Sequence, residues 1–236
     1  MSNVIFKCLT LKPTTMIKKS ILYLFFAVIA LTSCNKEKVM TFSTEEIMID
    51  LGSSDKDVCQ FVNVTDNAPI TVSGIDYDKV GSYQAVFTSG DLQETRTVKV
   101  RADKLAGTYE FHFFVIKNNG DESETSLGKW LMEITKGDQY NQINIPDSNT
   151  NGVHVFVDQG CLVLTLDGDK AEIPPYKGNV LFVPSSSSPY TYSFEDIKYG
   201  KLNDGSYGLM EFMLRCDRDD GQFTTHYHIT FEKQIP

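Results

Sequence analysis

The alternation of apolar and polar residues beyond residue 45 is the feature that most constrains the fold. Tyr83, Ala85 and Phe87 alternate with polar or smaller neighbours, and the segment 226–232 alternates in the same way. A period of two is typical of strands that turn one face to a core, and turn signals recur about every 8 to 12 residues. Past Cys34 no apolar period of 3.6 residues persists over three helical turns. The sequence therefore predicts an all-β protein.

The first 33 residues have the order of a secretory signal peptide. Lys18-Lys19 precedes eleven apolar residues, Ile21 to Leu31, and the small residues Thr32-Ser33 follow. This order is a basic region, a short apolar region and a small-residue cleavage site. The apolar run is shorter than the about 20 residues that a transmembrane helix needs. We assign residues 1–33 to the signal, with Met16 as an alternative start because 16–19 form a compact basic region by themselves.

Leu31-Thr32-Ser33-Cys34 resembles the lipobox of bacterial lipoproteins. The resemblance implies cleavage before Cys34 and lipidation of its thiol, with membrane anchoring by two or more acyl chains. In these proteins, an Asp directly after the cysteine retains the chain in the inner membrane. Asn35 stands at that position, which implies an outer-membrane location, on the periplasmic or the cell-surface face. The charged residues 36–38 resemble the stub that follows the cysteine in Bacteroidetes lipoproteins. Residues 34–44 are then a lipidated tether.

The charge balance disfavours nucleic acid as a partner. The chain has 22 Lys and Arg against 31 Asp and Glu, a net charge of −9. Four of the basic residues and none of the acidic ones precede Cys34, so the mature chain is more acidic still. Nucleic-acid binding depends on Lys and Arg neutralising phosphates. The expected partners are the membrane, through the lipid anchor, and a polysaccharide or an envelope protein.

Residues 45–101 are expected to form a first domain. Short strands are predicted at 47–49, 58–64 and 70–72, followed by a hairpin that turns at Ser89-Gly90-Asp91. Val80 to Phe87, together with Arg96 to Val100, resembles the closing hairpin of the small immunoglobulin-like domains of bacterial surface proteins. The resemblance implies a small immunoglobulin-like sandwich over 45–101. Residues 101–104 are interpreted as a linker.

Residues 105–236 are expected to form a second, larger domain, an antiparallel β-sandwich or a partly closed barrel. Its opening Ala106-Gly107-Thr108-Tyr109, its central segment 167–175 and its aromatic last strand resemble lipocalin-like and uncharacterised C-terminal domains of Bacteroidetes lipoproteins. Cys161 and Cys216 both lie in apolar strands. They either pair or serve as small buried hydrophobic residues.

Motifs of catalysis and cofactor binding are not found in the sequence. There is no G-x-S-x-G, H-E-x-x-H, C-x-x-C, P-loop or G-x-G-x-x-G pattern. We therefore expect no enzyme, no catalytic residue and no cofactor. His226 and His228 are weak metal-site candidates, because positions i and i+2 of a strand face the same side. The alternative is two exposed histidines on a polar face.

Aromatic residues supply the candidate ligand-binding side chains. The candidates are Tyr176, Tyr190, Tyr192 and Tyr199, in a segment rich in Pro, Ser, Gly and Lys, and Trp130, the single Trp. A tyrosine ring has an apolar face and a polar tip, which suits stacking on sugars or on a protein surface, although ordinary strand packing is the alternative. The sequence favours a non-catalytic, lipid-anchored binding protein that recognises glycan. A structural component of an envelope complex and a lipocalin-like small-ligand carrier are the alternatives.

Overall fold

A computed structural model describes residues 37–116, 124–146, 161–173, 177–178, 190–218 and 224–234. Within these residues lie fifteen strands, one short helix and one 3-10 turn, so the all-β prediction is confirmed. The signal segment and Cys34 lie outside the described residues. In the described part, no helix has the length and apolar character needed to cross a bilayer.

The strands of the first half form two layers. They are β1 (Met40–Phe42), β2 (Ile47–Asp50), β3 (Val62–Val64), β4 (Thr71–Ser73), β5 (Gly81–Ser89) and β6 (Leu92–Arg101). β1 pairs with β3, and the other four form a sheet in the order β2-β6-β5-β4, in which β2 runs parallel to β6. Phe42 of the two-stranded layer meets Phe87 of the sheet edge to face, with ring centroids 5.1 Å apart. The immunoglobulin-like identity of this half stays a prediction.

The first described strand, β1, lies before residue 45, inside the expected tether. β1 pairs Met40 with Val64, and both side chains are buried. Three apolar side chains on the ribbon (Met40, Phe42 and Val64) pack into the core, which holds the chain in an extended conformation from Met40 onward.

The strand predicted over 58–64 is wrong in its first part. Residues Asp55–Cys59 form a short helix, α1, and the strand β3 begins only at Val62. The carboxylate of Asp57 accepts hydrogen bonds from the backbone N–H and the hydroxyl of Ser54, both at 2.8 Å. This contact at the start of α1 satisfies an otherwise unpaired donor and stabilises helix over strand.

The hairpin at Ser89-Gly90-Asp91 forms as the sequence predicts. β5 and β6 pair antiparallel from Gly81↔Val100 to Ser89↔Leu92, which leaves a two-residue turn. Gly90 has φ of 59°, the left-handed conformation that such a turn requires at its first position and that glycine adopts without strain.

The second half is a single antiparallel sheet that curls into a nearly closed barrel. Its strands are β7 (Gly107–Ile116), β8 (Glu124–Lys136), β9 (Gln142–Pro146), β10 (Cys161–Asp167), β11 (Lys170–Glu172), β12 (Lys177–Gly178), β13 (Tyr190–Lys201), β14 (Tyr207–Arg218) and β15 (Thr224–Lys233). The order is β11-β10-β9-β8-β7-β15-β14-β13-β12, and β11 at one end lies against β13 near the other. Of the two architectures expected for this half, the structure shows the partly closed barrel.

Large apolar side chains fill the barrel. Inward positions alternate with outward ones along β7, β14 and β15 and place Phe111, Phe113, Phe212 and Phe231 in the core. The gap that these rings leave, together with Met132, Ile145 and Ile229, has no room for a water molecule. This part of the barrel core is therefore closely packed.

The segment 101–104, interpreted from sequence as a linker, is packed between the two sheets. Arg101 ends β6 and forms an ion pair with Asp50 at 2.7 Å, and a 3-10 turn spans Asp103–Leu105. Ala102 and Leu105 are fully buried, and the backbone N–H of Ala102 donates to the carbonyl of Tyr140 at 2.8 Å. Residues 40–236 consequently form one compact unit.

The choice between a Cys161–Cys216 pair and two buried single cysteines depends on a side chain that is not among those described. Cys161 begins β10 opposite Pro146, and its thiol is free among the described residues. Cys216 lies on β14 opposite Thr225, and its side chain is not among those described.

Candidate binding face

Outward-facing side chains of the central strands form a continuous face on the barrel. Core residues on β7 and β15 alternate with the residues between them, which point away from the core. The order β7-β15-β14-β13 then sets these outward residues side by side. We define the sheet face by six of them: His112, Phe114, Lys198, Glu211, His226 and His228.

Three rings lie next to one another on the sheet face. Phe114 of β7 is opposite His228 of β15, and their ring centroids are 5.8 Å apart in a stacked arrangement. Phe114 also contacts His112, and the centroids of these two rings are 4.0 Å apart. His112 Nε2 is fixed by the hydroxyl of Ser126 at 2.7 Å. The row presents a partly exposed aromatic surface on a rigid element.

A charged pair borders the ring row. Glu211 of β14 accepts a short hydrogen bond from Lys198 of β13, and its second oxygen lies 3.3 Å from His228 Nε2. The hydrogen bond from Lys198, followed by that from His228, lowers the pKa of Glu211 below its ordinary value. Glu211 therefore stays ionised near neutral pH and offers acceptor oxygens beside the rings.

His226 has an unsatisfied ring nitrogen at the far end of the face. Its Nε2 is buried without a hydrogen-bond partner among the described residues, and the nearest carboxylate oxygen, of Glu195, is 3.6 Å away. Glu195 also lies 3.6 Å from Arg215, which donates to Asp217 at 2.8 Å.

His226 and His228 do face the same side of β15, as the alternation predicts, and Tyr227 between them is buried. In the described part of the chain, no three His, Cys, Asp or Glu side chains are grouped so that they could hold an ion. His228 contacts Phe114 and Glu211 instead.

Trp130 belongs to the core side of β8 and not to an exposed platform. It pairs with Phe111, and the two ring centroids are 5.3 Å apart. Its ring lies over Gly128, where a Cβ atom would come within 2.8 Å of Cη2. The side chain is partly buried against the core.

Tyr199 is also a packing residue. Its side chain is only 4% exposed. The hydroxyl donates to the carbonyl of Gly168 at 2.5 Å and accepts from the backbone N–H of Val80 at 3.0 Å. Burial raises the pKa of Tyr199, so the hydroxyl stays protonated. A role in stacking on a ligand does not fit this burial, because the ring is not accessible.

The other three tyrosine candidates fall on side chains outside the described set. The backbone of Tyr190 and Tyr192 lies on β13, opposite Arg218 and Cys216 of β14. Tyr176 lies outside the described residues. Their proposed ligand contacts stay predictions.

Sequence reasoning did not identify the ring row. Phe114 looks like any other apolar residue in a segment that is apolar on both faces, and His112 stands far from His228 in the chain. They meet because β7 pairs with β15, which brings residues 107–116 beside the end of the chain. A strand prediction with the right alternation would place His112 and Phe114 outward, but it does not reveal that partner strand.

Comparison with known proteins leaves the site without an assigned function. No protein-family model matches the chain, and no curated protein matches it. Among solved structures, the chain is similar to a lipoprotein from Bacteroides thetaiotaomicron, with 14% identity, over 84% of this chain and 100% of that chain. The TM-score is 0.29, which is too low to establish a common fold.

Proposed function

We propose that the protein is a non-catalytic, lipid-anchored envelope protein that binds glycan through the sheet face. The observation that carries the proposal is the row His112, Phe114 and His228, which the pairing of β7 with β15 brings together and the ionised Glu211 borders. Flat rings bind the apolar face of a sugar ring, and a neighbouring carboxylate accepts hydrogen bonds from its hydroxyls.

The anchor and the location rest on the sequence. The lipobox-like segment before Cys34 supports attachment to the outer membrane, on the periplasmic or the cell-surface face. The acidic mature chain adds no electrostatic attraction to anionic lipid, so the acyl chains supply the membrane affinity.

A structural role in an envelope complex is the second candidate, and Leu131 favours it. This residue is on the outward side of β8, opposite Glu110, and is 63% exposed. Together with the partly exposed rings on the same outward side, this exposed side chain adds to an apolar surface of the kind that suits a protein interface. The third candidate, a lipocalin-like carrier, stays a prediction, and the packed gap between the core rings supplies no ligand cavity at that point.

Calorimetry of the full chain in detergent against a panel of host and dietary polysaccharides tests the proposal. We expect at least one glycan to bind, and Phe114→Ala to weaken that binding by about 1 kcal/mol or more, roughly fivefold, because the stacked ring is lost. Glu133→Ala, which removes an exposed side chain of β8 outside the sheet face, is the matched control and should bind as the unmodified chain does.

Absence of binding across the whole panel would overturn the proposal. If a protein partner co-purifies with the chain and is lost in Phe114→Ala and Leu131→Ala, the sheet face is a protein interface and the second candidate replaces the first.

A further inference from the structure

Three lysines line an open pocket at one end of the barrel, away from the sheet face. The pocket has a volume of about 390 Å³, and its lysines are Lys104, Lys201 and Lys233. Gly52 and Tyr207 form other parts of the wall. A volume of this size is within the range of small-molecule sites. Such a concentration of positive charge stands out in a chain with a net charge of −9.

Lys233 is held in place by the surrounding backbone. Its ammonium group donates to the carbonyls of Lys104 at 2.8 Å and Tyr207 at 2.7 Å. Its stem passes two glycines, since a Cβ atom at Gly107 would lie 2.8 Å from Cε and one at Gly208 would lie 3.4 Å from Cδ. An ammonium group has three donors, so one remains after the two carbonyl contacts.

The other two ammonium groups also keep free donors. Lys104 donates to the carbonyl of Leu51 at 2.7 Å. Lys201 is exposed at the end of β13 and forms no hydrogen bond or ion pair within the described residues. By contrast, four lysines elsewhere in the described chain, Lys79, Lys99, Lys129 and Lys198, each pair with a carboxylate.

The carboxylates of Asp204 and Asp78, near the pocket, accept hydrogen bonds from other residues and, within the described part of the chain, form no ion pair with the three lysines. Asp204 accepts from the N–H and the hydroxyl of Ser206 at 3.0 and 2.8 Å, and Asp78 accepts a short hydrogen bond from Tyr207. Burial lowers the pKa of Lys233, and the charge of Asp204 only partly opposes this effect. A cation that is partly withdrawn from water and lacks an ion pair is stabilised by a bound anion.

We propose that this lysine pocket binds a small free molecule that bears a carboxylate or phosphate group. The three ammonium groups supply charge-assisted hydrogen bonds to its oxygens, and the Tyr207 ring forms an adjacent wall. The inference is independent of glycan binding at the sheet face, because the two sites share no residue.

Titration calorimetry of the full chain in detergent, at constant ionic strength, tests the pocket with two probes, inorganic phosphate and citrate. We expect saturable binding of at least one probe and a weakening of about fivefold or more in Lys201→Gln. This substitution removes a charge without breaking a hydrogen bond of the described fold. The matched control is Lys136→Gln, an exposed lysine of β8 outside the pocket, which should leave the affinity unchanged.

The inference is overturned if neither probe binds saturably. It is also overturned if the Lys201→Gln and Lys136→Gln variants bind the probe with equal affinity. Chemical denaturation of both variants, with unchanged unfolding midpoints, confirms that a loss of binding comes from the pocket and not from unfolding. A loss of glycan binding in Phe114→Ala with phosphate binding retained would separate the two sites.

Discussion

At the scale of single residues, tyrosine hydroxyls join the two halves of the molecule. Tyr199 of β13 connects the backbone of Val80 in the first half with that of Gly168 in the second. Tyr207 of β14 reaches Asp78 in the same region. Of the aromatic residues linked to ligands from the sequence, Tyr199 and Trp130 pack against the core, and the side chains of the other three lie outside the described set.

Tyr199→Phe tests this joining role. The substitution keeps the ring but leaves the buried N–H of Val80 without its acceptor, which should lower the free energy of unfolding by about 1–3 kcal/mol. Urea denaturation at neutral pH measures the change. Tyr140→Phe is the control, because the Tyr140 hydroxyl makes no hydrogen bond within the described residues, and it should change stability by less than about 0.5 kcal/mol. Equal stability of the two variants would refute the role.

At the scale of strands and turns, the sequence predicted the elements whose conformation depends on neighbouring residues in the chain. The β5–β6 hairpin follows from Ser89-Gly90-Asp91, since a glycine at the turn selects its geometry. The same reasoning failed at Val58, where a capping contact between Ser54 and Asp57 starts a helix. The ring row of the sheet face depends on the pairing of β7 with β15. That pairing joins distant parts of the chain, and no local pattern encodes it.

Gly128 in β8 should be required for the packing of the Trp130 ring. Gly128 has φ of 141° beside an irregularity in the register at Phe113/Phe114, and the Trp130 ring covers it. Gly128→Ala should displace this ring, lower the free energy of unfolding by about 1–3 kcal/mol and shift the emission of the single Trp.

Fluorescence combined with urea denaturation measures both effects. Gly90→Ala is the matched control, because Gly90 also has a positive φ, of 59°, but no atom lies within 4 Å of the added methyl group. Gly90→Ala should lower the free energy of unfolding, because alanine is strained at a positive φ, and should leave the Trp emission unchanged. An unaltered emission spectrum in Gly128→Ala would contradict the packing described for Trp130.

At the scale of the whole molecule, the sequence predicted the all-β class and, for the second half, either a sandwich or a partly closed barrel, but not how closely the halves pack. Residues 101–104 have the polar composition of a linker. Ala102 within this segment and Leu105 directly after it are nevertheless fully buried between the sheets. Burial of that kind depends on neighbours from both halves, such as Tyr140, and so it is not visible in the segment itself.

Cys34→Ala tests how the whole molecule is held at the membrane. The variant should leave the membrane fraction, because a chain without acyl groups loses about 0.8 kcal/mol for each methylene formerly buried in the bilayer. Mass spectrometry of the unmodified chain should find a diacylated or triacylated Cys34 at its N-terminus. Retention of the alanine variant in the membrane fraction would show that another feature anchors the protein.

The central claim is that the sheet face binds glycan, and a crystal structure of the chain with the tightest-binding oligosaccharide of the panel tests it most directly. The account predicts a sugar ring packed against the exposed surface of the row formed by His112, Phe114 and His228, with a hydroxyl donating to the carboxylate of Glu211. A sugar bound at any other surface, with the three rings left uncovered, would contradict it.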